Sequence, residues 1–178
     1  LHTATIKISG ATDILQTEEI IEFIKSDFGR RLARSLNISK VSAPVIVSDG
    51  TGINDDLNGI ERPVRFPVKS LDERTAVIIQ SLAKWKRMRL KYFDIEAGKG
   101  ILTDMRALRP DEKLSPIHSI YVDQWDWEKH IYPEQRTLLY LKSTVDIIYQ
   151  SIRATEEKLF DIYPWLIPQL PGSITFIH

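Results

Sequence analysis

The chain has 178 residues, 43% of them apolar and 27% charged, which suits one soluble domain with a sizeable core. Lysine plus arginine equals aspartate plus glutamate at 24 each, so there is no net charge to draw nucleic acid or an anionic membrane. The absence of cysteine excludes disulfides, thiolate zinc sites and cysteine nucleophiles, and no apolar run approaches the ~20 residues of a membrane span. Cytoplasm is the expected compartment. Leu1 is not an initiator methionine, so what precedes it stays open.

In chain order, the first predicted element is a helix over 18–36. Ile20, Ile21, Ile24, Phe28, Leu32 and Leu36 recur at helical spacing, and Thr17 is the expected N-cap. KVSAPVIVS at 40–48 reads as a β-rich run. Its Pro44 belongs on a sheet edge or at a strand start, because proline donates nothing to a ladder. DGTGINDDLNG at 49–59 is a loop rich in Gly, Asn and Asp. RPVRFPVKS and TAVIIQS read as two strands joined by LDER, and SLAKWKRMRLKYF at 81–93 as a helix or helix-like turn. GKGILTDMRAL at 98–108 is a third strand, and LRPDEKLSP a polar turn.

SIYVDQWDWE at 119–128 is the next strand, and its alternation is unusual. Ser119, Tyr121, Asp123, Trp125 and Trp127 share one face; Ile120, Val122, Gln124, Asp126 and Glu128 share the other. The second face starts apolar and ends polar, as expected of a strand running out of a core into a polar cavity. A long helix follows over 136–160, with Leu138, Leu141, Val145, Ile148, Ile152 and Leu159 on one stripe and Pro164 as its stop. SITFIH at 173–178 reads as the opening of another strand, which suggests part of a longer protein, incomplete at the C-terminus. Helix, sequential strands, then helix argues an α+β fold with a mainly antiparallel sheet flanked by helices, a single domain over 1–178.

Each candidate for chemistry has a plain counterpart. The 49–59 loop fails as a helix–loop–helix calcium site, since Ile53 stands where an oxygen ligand is needed and no Glu closes it. It also fails as a P-loop; what remains is a ligand loop or a surface loop. Lys84, Lys86 and Arg87 around Trp85 make either a solvated helix face or a lysine aimed at a carboxylate or phosphate. Arg109, with Asp111 and Glu112 close by, is either a phosphate fork or a turn salt bridge. His2, His118, His130 and His178 lack metal-ligand spacing, and no metal site is expected. Gln124 and Asp126 are hardest to dismiss, because a carboxylate and an amide beside Ile120 and Val122 need partners.

SLAKWKR, MRALRPDEKLSPIHSIYVDQWDWE, LKSTVDIIYQSIRATE and DGTGINDDLNGIERPV together resemble ammonia-dependent asparagine synthetase, the AMP-forming aspartate–ammonia ligase family. The resemblance runs from Thr17 to His178. It implies a catalytic core like that of class II aminoacyl-tRNA synthetases, with residues 18–47 as a dimerisation element and a homodimer as the assembly. It implies ATP and Mg2+ as cofactors and aspartate and ammonia as substrates. The β-carboxylate attacks the α-phosphorus of ATP to give β-aspartyl-AMP and pyrophosphate, and ammonia then displaces AMP. The family's downstream glycine-rich element ending in a second ATP-binding arginine has no counterpart in these residues, which leaves the activity of this chain alone open.

By that resemblance Lys86 pairs with the α-carboxylate of aspartate, and Asp126 orients the lysine and complements the ammonium side of the substrate. Asp55, Ser81 and Gln124 accept hydrogen bonds from the α-ammonium. Arg109 bridges the α-phosphate and the reacting carboxylate, and Glu112 assists at ATP. The residues alone also allow a non-catalytic synthetase-like module that binds an amino acid or a partner chain. A relative of aspartyl-tRNA synthetase would need a basic RNA face, which this neutral chain lacks.

Overall fold

The computed structural model describes residues 11–55 and 57–177. These form helices α1 (Ala11–Leu36), α2 (Ala83–Tyr92) and α3 (Leu138–Ile162). The strands are β1 (Ile38–Lys40), β2 (Ile46–Ser48), β3 (Arg65–Val68), β4 (Arg74–Ile78), β5 (Gly100–Leu108) and β6 (Tyr121–Lys129). The chain divides into two compact units, one of Leu1–Leu36 with Thr137–His178 and one of Asn37–Arg136.

In the first unit α1 packs on α3. Leu32, Leu36, Phe28 and Leu159 are buried, and among them sits Asp27, only 8% exposed. Its carboxylate accepts from Arg31 Nε at 2.5 Å, Arg30 Nη2 at 3.2 Å and Thr155 Oγ1 at 3.2 Å. Burial pushes this carboxyl up, but the hydrogen bonds and the Arg31 charge outweigh it and hold the group below the ordinary value of 3.8. Asn37, at φ 57°, ends α1 in the left-handed conformation common just past a helix end.

Three expectations change here. Helix α1 starts upstream of 18, and Thr17 lies inside it, its hydroxyl donating to the Asp13 carbonyl at 2.6 Å. A threonine can cap a helix or bond back one turn within it, and here it does the latter. Helix α3 begins at Leu138, capped by Thr137 Oγ1, which accepts from Tyr140 N at 3.2 Å. Residues 174–177 lie in no strand, since no described segment offers them a ladder; His178 falls outside the described residues.

The second unit is built on two three-stranded sheets, ordered β1-β5-β6 and β2-β4-β3, rather than the single sheet expected. β1 runs parallel to β5; β2 and β3 run antiparallel to β4, and β6 antiparallel to β5. The sheets are stitched where β4 ends. Ile79 N donates to Val45 O at 3.1 Å, and Leu108 N donates to Ile79 O at 3.1 Å. Pro44 lies between β1 and β2 rather than on a strand, where its missing N–H costs no ladder bond. Ile79, Leu82, Trp85, Ile101, Met105 and Ala107 form the buried core. Glycine is required at position 100: a Cβ there would lie 2.3 Å from Glu128 O and 2.8 Å from Ile38 Cγ2.

Candidate functional site

The long ladder between β5 and β6 fixes which side chains share a face. Thr103 faces Asp126, Met105 faces Gln124, and Ala107 faces Val122. Arg109 N extends the ladder by donating to Ile120 O at 2.8 Å. With a side-chain period of two, Thr103, Met105, Ala107 and Arg109 therefore line the same side as Val122, Gln124 and Asp126. Exposure along this face does not follow the expected run from core to polar cavity: Ile120 is 41% exposed and Gln124 is exposed, whereas Asp126 and Glu128 are half-buried.

Helix α2 packs on this face and delivers Lys86. The Lys86 side chain is 2% exposed, and its ammonium pairs with the Asp126 carboxylate, itself 22% exposed. A buried ammonium without a counter-charge is costly, so this pair decides the local geometry. Thr103 Oγ1 donates to Asp126 O at 3.1 Å and pins the strand at the same point. Arg87 Nε lies 3.4 Å from Glu128 Oε1, one strand period further along, so Glu128 engages a different cation.

The loop segment 49–55 reaches the same region through Asp55. Lys84 Nζ lies 3.0 Å from Asp55 Oδ1, and Asp55 N donates to Ser81 O at 3.4 Å. Ser81 Oγ accepts from Ala83 N at 3.4 Å, at the start of α2. Gln124 is exposed beside Asp126. Arg109 holds the other end of the face, where Nε and Nη2 each donate to Gln80 O at 3.3 Å. Glu112 N donates to Arg109 O at 3.0 Å, which closes the turn beneath the arginine.

Of the alternatives at Arg109, the turn salt bridge takes another form. Asp111 pairs with Arg62, whose backbone N, Nε and Nη2 all donate to it, at 2.8, 3.0 and 2.5 Å. Those donors hold the Asp111 carboxyl down to about 2. Arg109 is thereby left to the carbonyl of Gln80. Sequence reasoning missed Gln80 and its partner Asn54, which lock together across a loop and a strand end. Only the polar residue closing the apolar run TAVIIQS hinted at them.

Residues 15–178 match the family model of aspartate–ammonia ligase. The chain belongs to the aspartate–ammonia ligase family. It is 49% identical over 166 residues to the aspartate–ammonia ligase of Bacteroides thetaiotaomicron, covering 93% of this chain and 48% of that protein. It is 52% identical over 162 residues to that of Clostridium perfringens strain 13, covering 91% and 48%. With the ligase of Lactobacillus johnsonii the identity is 48% over 164 residues, covering 92% and 49%. The chain thus spans about half the length of the curated relatives it matches. Among the described residues, no helix is long and apolar enough to cross a membrane. Nor do three or more His, Asp or Glu side chains there group to hold a metal ion.

Proposed function

We propose that this chain supplies the aspartate pocket and the first ATP-binding arginine of an ammonia-dependent asparagine synthetase. Its architecture would then be that of a class II synthetase core, assembled as a cytoplasmic homodimer through residues 18–47. The observation that carries the reading is the buried Lys86–Asp126 pair on a face shared with Gln124 and Arg109. The ammonium lies almost wholly buried behind a partly open carboxylate, so capture of an amino-acid α-carboxylate would require substrate binding to uncover it.

The chemistry asks for discrimination between two carboxylates of one substrate. Lys86 would take the α-carboxylate while Asp126 fixes the lysine's direction. Gln124, Ser81 and Asp55 would accept from the α-ammonium, with Asp55 exchanging Lys84 for the substrate's charge. Held at both α-groups, aspartate can present only its β-carboxylate to phosphorus. Arg109 would neutralise the approach of that carboxylate to the α-phosphate, with Glu112 close by.

The test is formation of asparagine and AMP from aspartate, Mg-ATP and ammonium, by this chain and by a form extended to the length of its relatives. The extended form is expected to turn over, and Arg109→Ala in it to lose aspartate-dependent AMP formation while keeping its circular dichroism spectrum. Unchanged turnover in Arg109→Ala would remove that residue from the reaction. Binding of aspartate without any AMP formation by the extended form would favour a non-catalytic amino-acid module.

A further inference from the structure

We infer that Gln80 is a positioning residue for Arg109 and that Asn54 ties it to the 49–59 loop; the catalytic consequence rests on the ligase reading above. Gln80 is fully buried, at 0% exposure. Its backbone N donates to Asn54 Oδ1 at 2.7 Å, and its Oε1 accepts from Asn54 Nδ2 at 3.1 Å. The orientation of both amides follows from this reciprocity. A backbone N–H can only donate, so the atom of Asn54 facing it is oxygen, and the atom of Asn54 facing the Gln80 side chain is then nitrogen. The Gln80 peptide is thus clamped on its N–H side while its carbonyl carries both Arg109 contacts, each at 3.3 Å.

Two further observations separate this from ordinary packing. Gln80 Nε2 is buried and has no acceptor among the described residues. A buried donor left unmade opposes folding, and an apolar side chain of similar size would avoid it. With respect to the described residues, the amide stands where an apolar side chain would avoid that cost, as expected of a residue serving the site. The next residues also run side by side, because Asp55 N donates to Ser81 O at 3.4 Å. One short stretch, 80–81, accordingly positions the loop bearing Asp55 on one side and the guanidinium of Arg109 on the other.

The experiment reads exchange of the Arg109 Nε–H proton with water by 15N NMR, in this chain without ligand. Gln80→Met and Asn54→Leu are expected to accelerate that exchange about tenfold, the loss of roughly one hydrogen bond. The amides of Met105 and Ala107, deep in the same sheet, should stay at wild-type rates. Asn54→Asp is expected to rescue: the Gln80 amide turns over, Nε2 donates to the new carboxylate, and Arg109 keeps wild-type protection. Unchanged Arg109 exchange in Asn54→Leu overturns the inference. So does parallel acceleration at Met105 and Ala107, which would mean a merely structural role, and so does failure of Asn54→Asp to protect. Titration of the wild-type chain with aspartate and with Mg-ATP tests the ligase reading separately. Silence at Lys86 and Arg109 there counts against that reading and leaves the exchange result standing.

Discussion

At the scale of single residues, the two members of the central pair are not equivalent. Lys86 is sealed from water while Asp126 retains a water-facing edge. Asp126→Asn strands a buried ammonium and is expected to cost about 3 kcal/mol, as measured by urea denaturation. Lys86→Met leaves a carboxylate that can still reach solvent, and it should cost clearly less; equal losses would mean that the lysine is not desolvated. In the extended enzyme, Asp126→Asn should raise the aspartate requirement more than the ATP requirement. The Arg62–Asp111 pair gives a pH prediction of known sign. The folded carboxyl titrates at about 2 against an ordinary 3.8. Its contribution is therefore fully present above the ordinary value and is lost as pH falls toward about 2. A 13C titration of Asp111 should show that midpoint, and Arg62→Ala should return it toward 3.8. If the midpoint does not move in that variant, Arg62 is not its cause.

At the scale of elements, β5 is the strand its own sheet is registered against, because β1 and β6 pair on its two edges. The three strands close in at Gly100, where a single methyl would overlap backbone on β6 and Ile38 on β1. Gly100→Ala is expected to destabilise by about 2–3 kcal/mol, since neither neighbour is a free side-chain end. A melting temperature equal to wild type would show that the strands can part there without loss. Strand faces of this kind are legible in a sequence, because their period of two survives without any knowledge of partners. Hence the alternation in 119–128 alone places Gln124 and Asp126 on one face. The Lys86–Asp126 partnership is another matter: a helix and a strand 40 positions apart leave no periodic trace, and only resemblance to a family joined them. Asn54 and Gln80 left neither kind of trace, being an amide pair between a loop and a strand end. Thr17 misled for a third reason, in that capping and back-bonding use the same hydroxyl. The second sheet was missed because the switch at Ile79 consists of backbone bonds, which any residue can make.

At the scale of the whole molecule, the two units differ in how they use the chain. The one that holds α1 and α3 is assembled from segments separated by the whole of the other, whereas Asn37–Arg136 is continuous. Every residue proposed for the aspartate pocket, and Arg109 with its supports, lies within that continuous stretch, from Asn54 to Asp126. Its buried cluster of Ile79, Leu82, Trp85, Ile101, Met105 and Ala107 is drawn wholly from the same stretch. A continuous segment with its own core and its own ladders satisfies what independent folding requires. The fragment 37–136 is therefore expected to fold alone, with slow amide exchange along Ile101–Ala107 and a cooperative, if lower, thermal transition. On the proposed reading, the fragment and the 178-residue chain both bind aspartate, read as a shift of the Lys86 ammonium signal that Asp126→Asn abolishes. A fragment lacking slow amides would mean that the helical unit is needed to complete the core. A well-folded fragment deaf to aspartate would move the pocket away from the Lys86 face altogether.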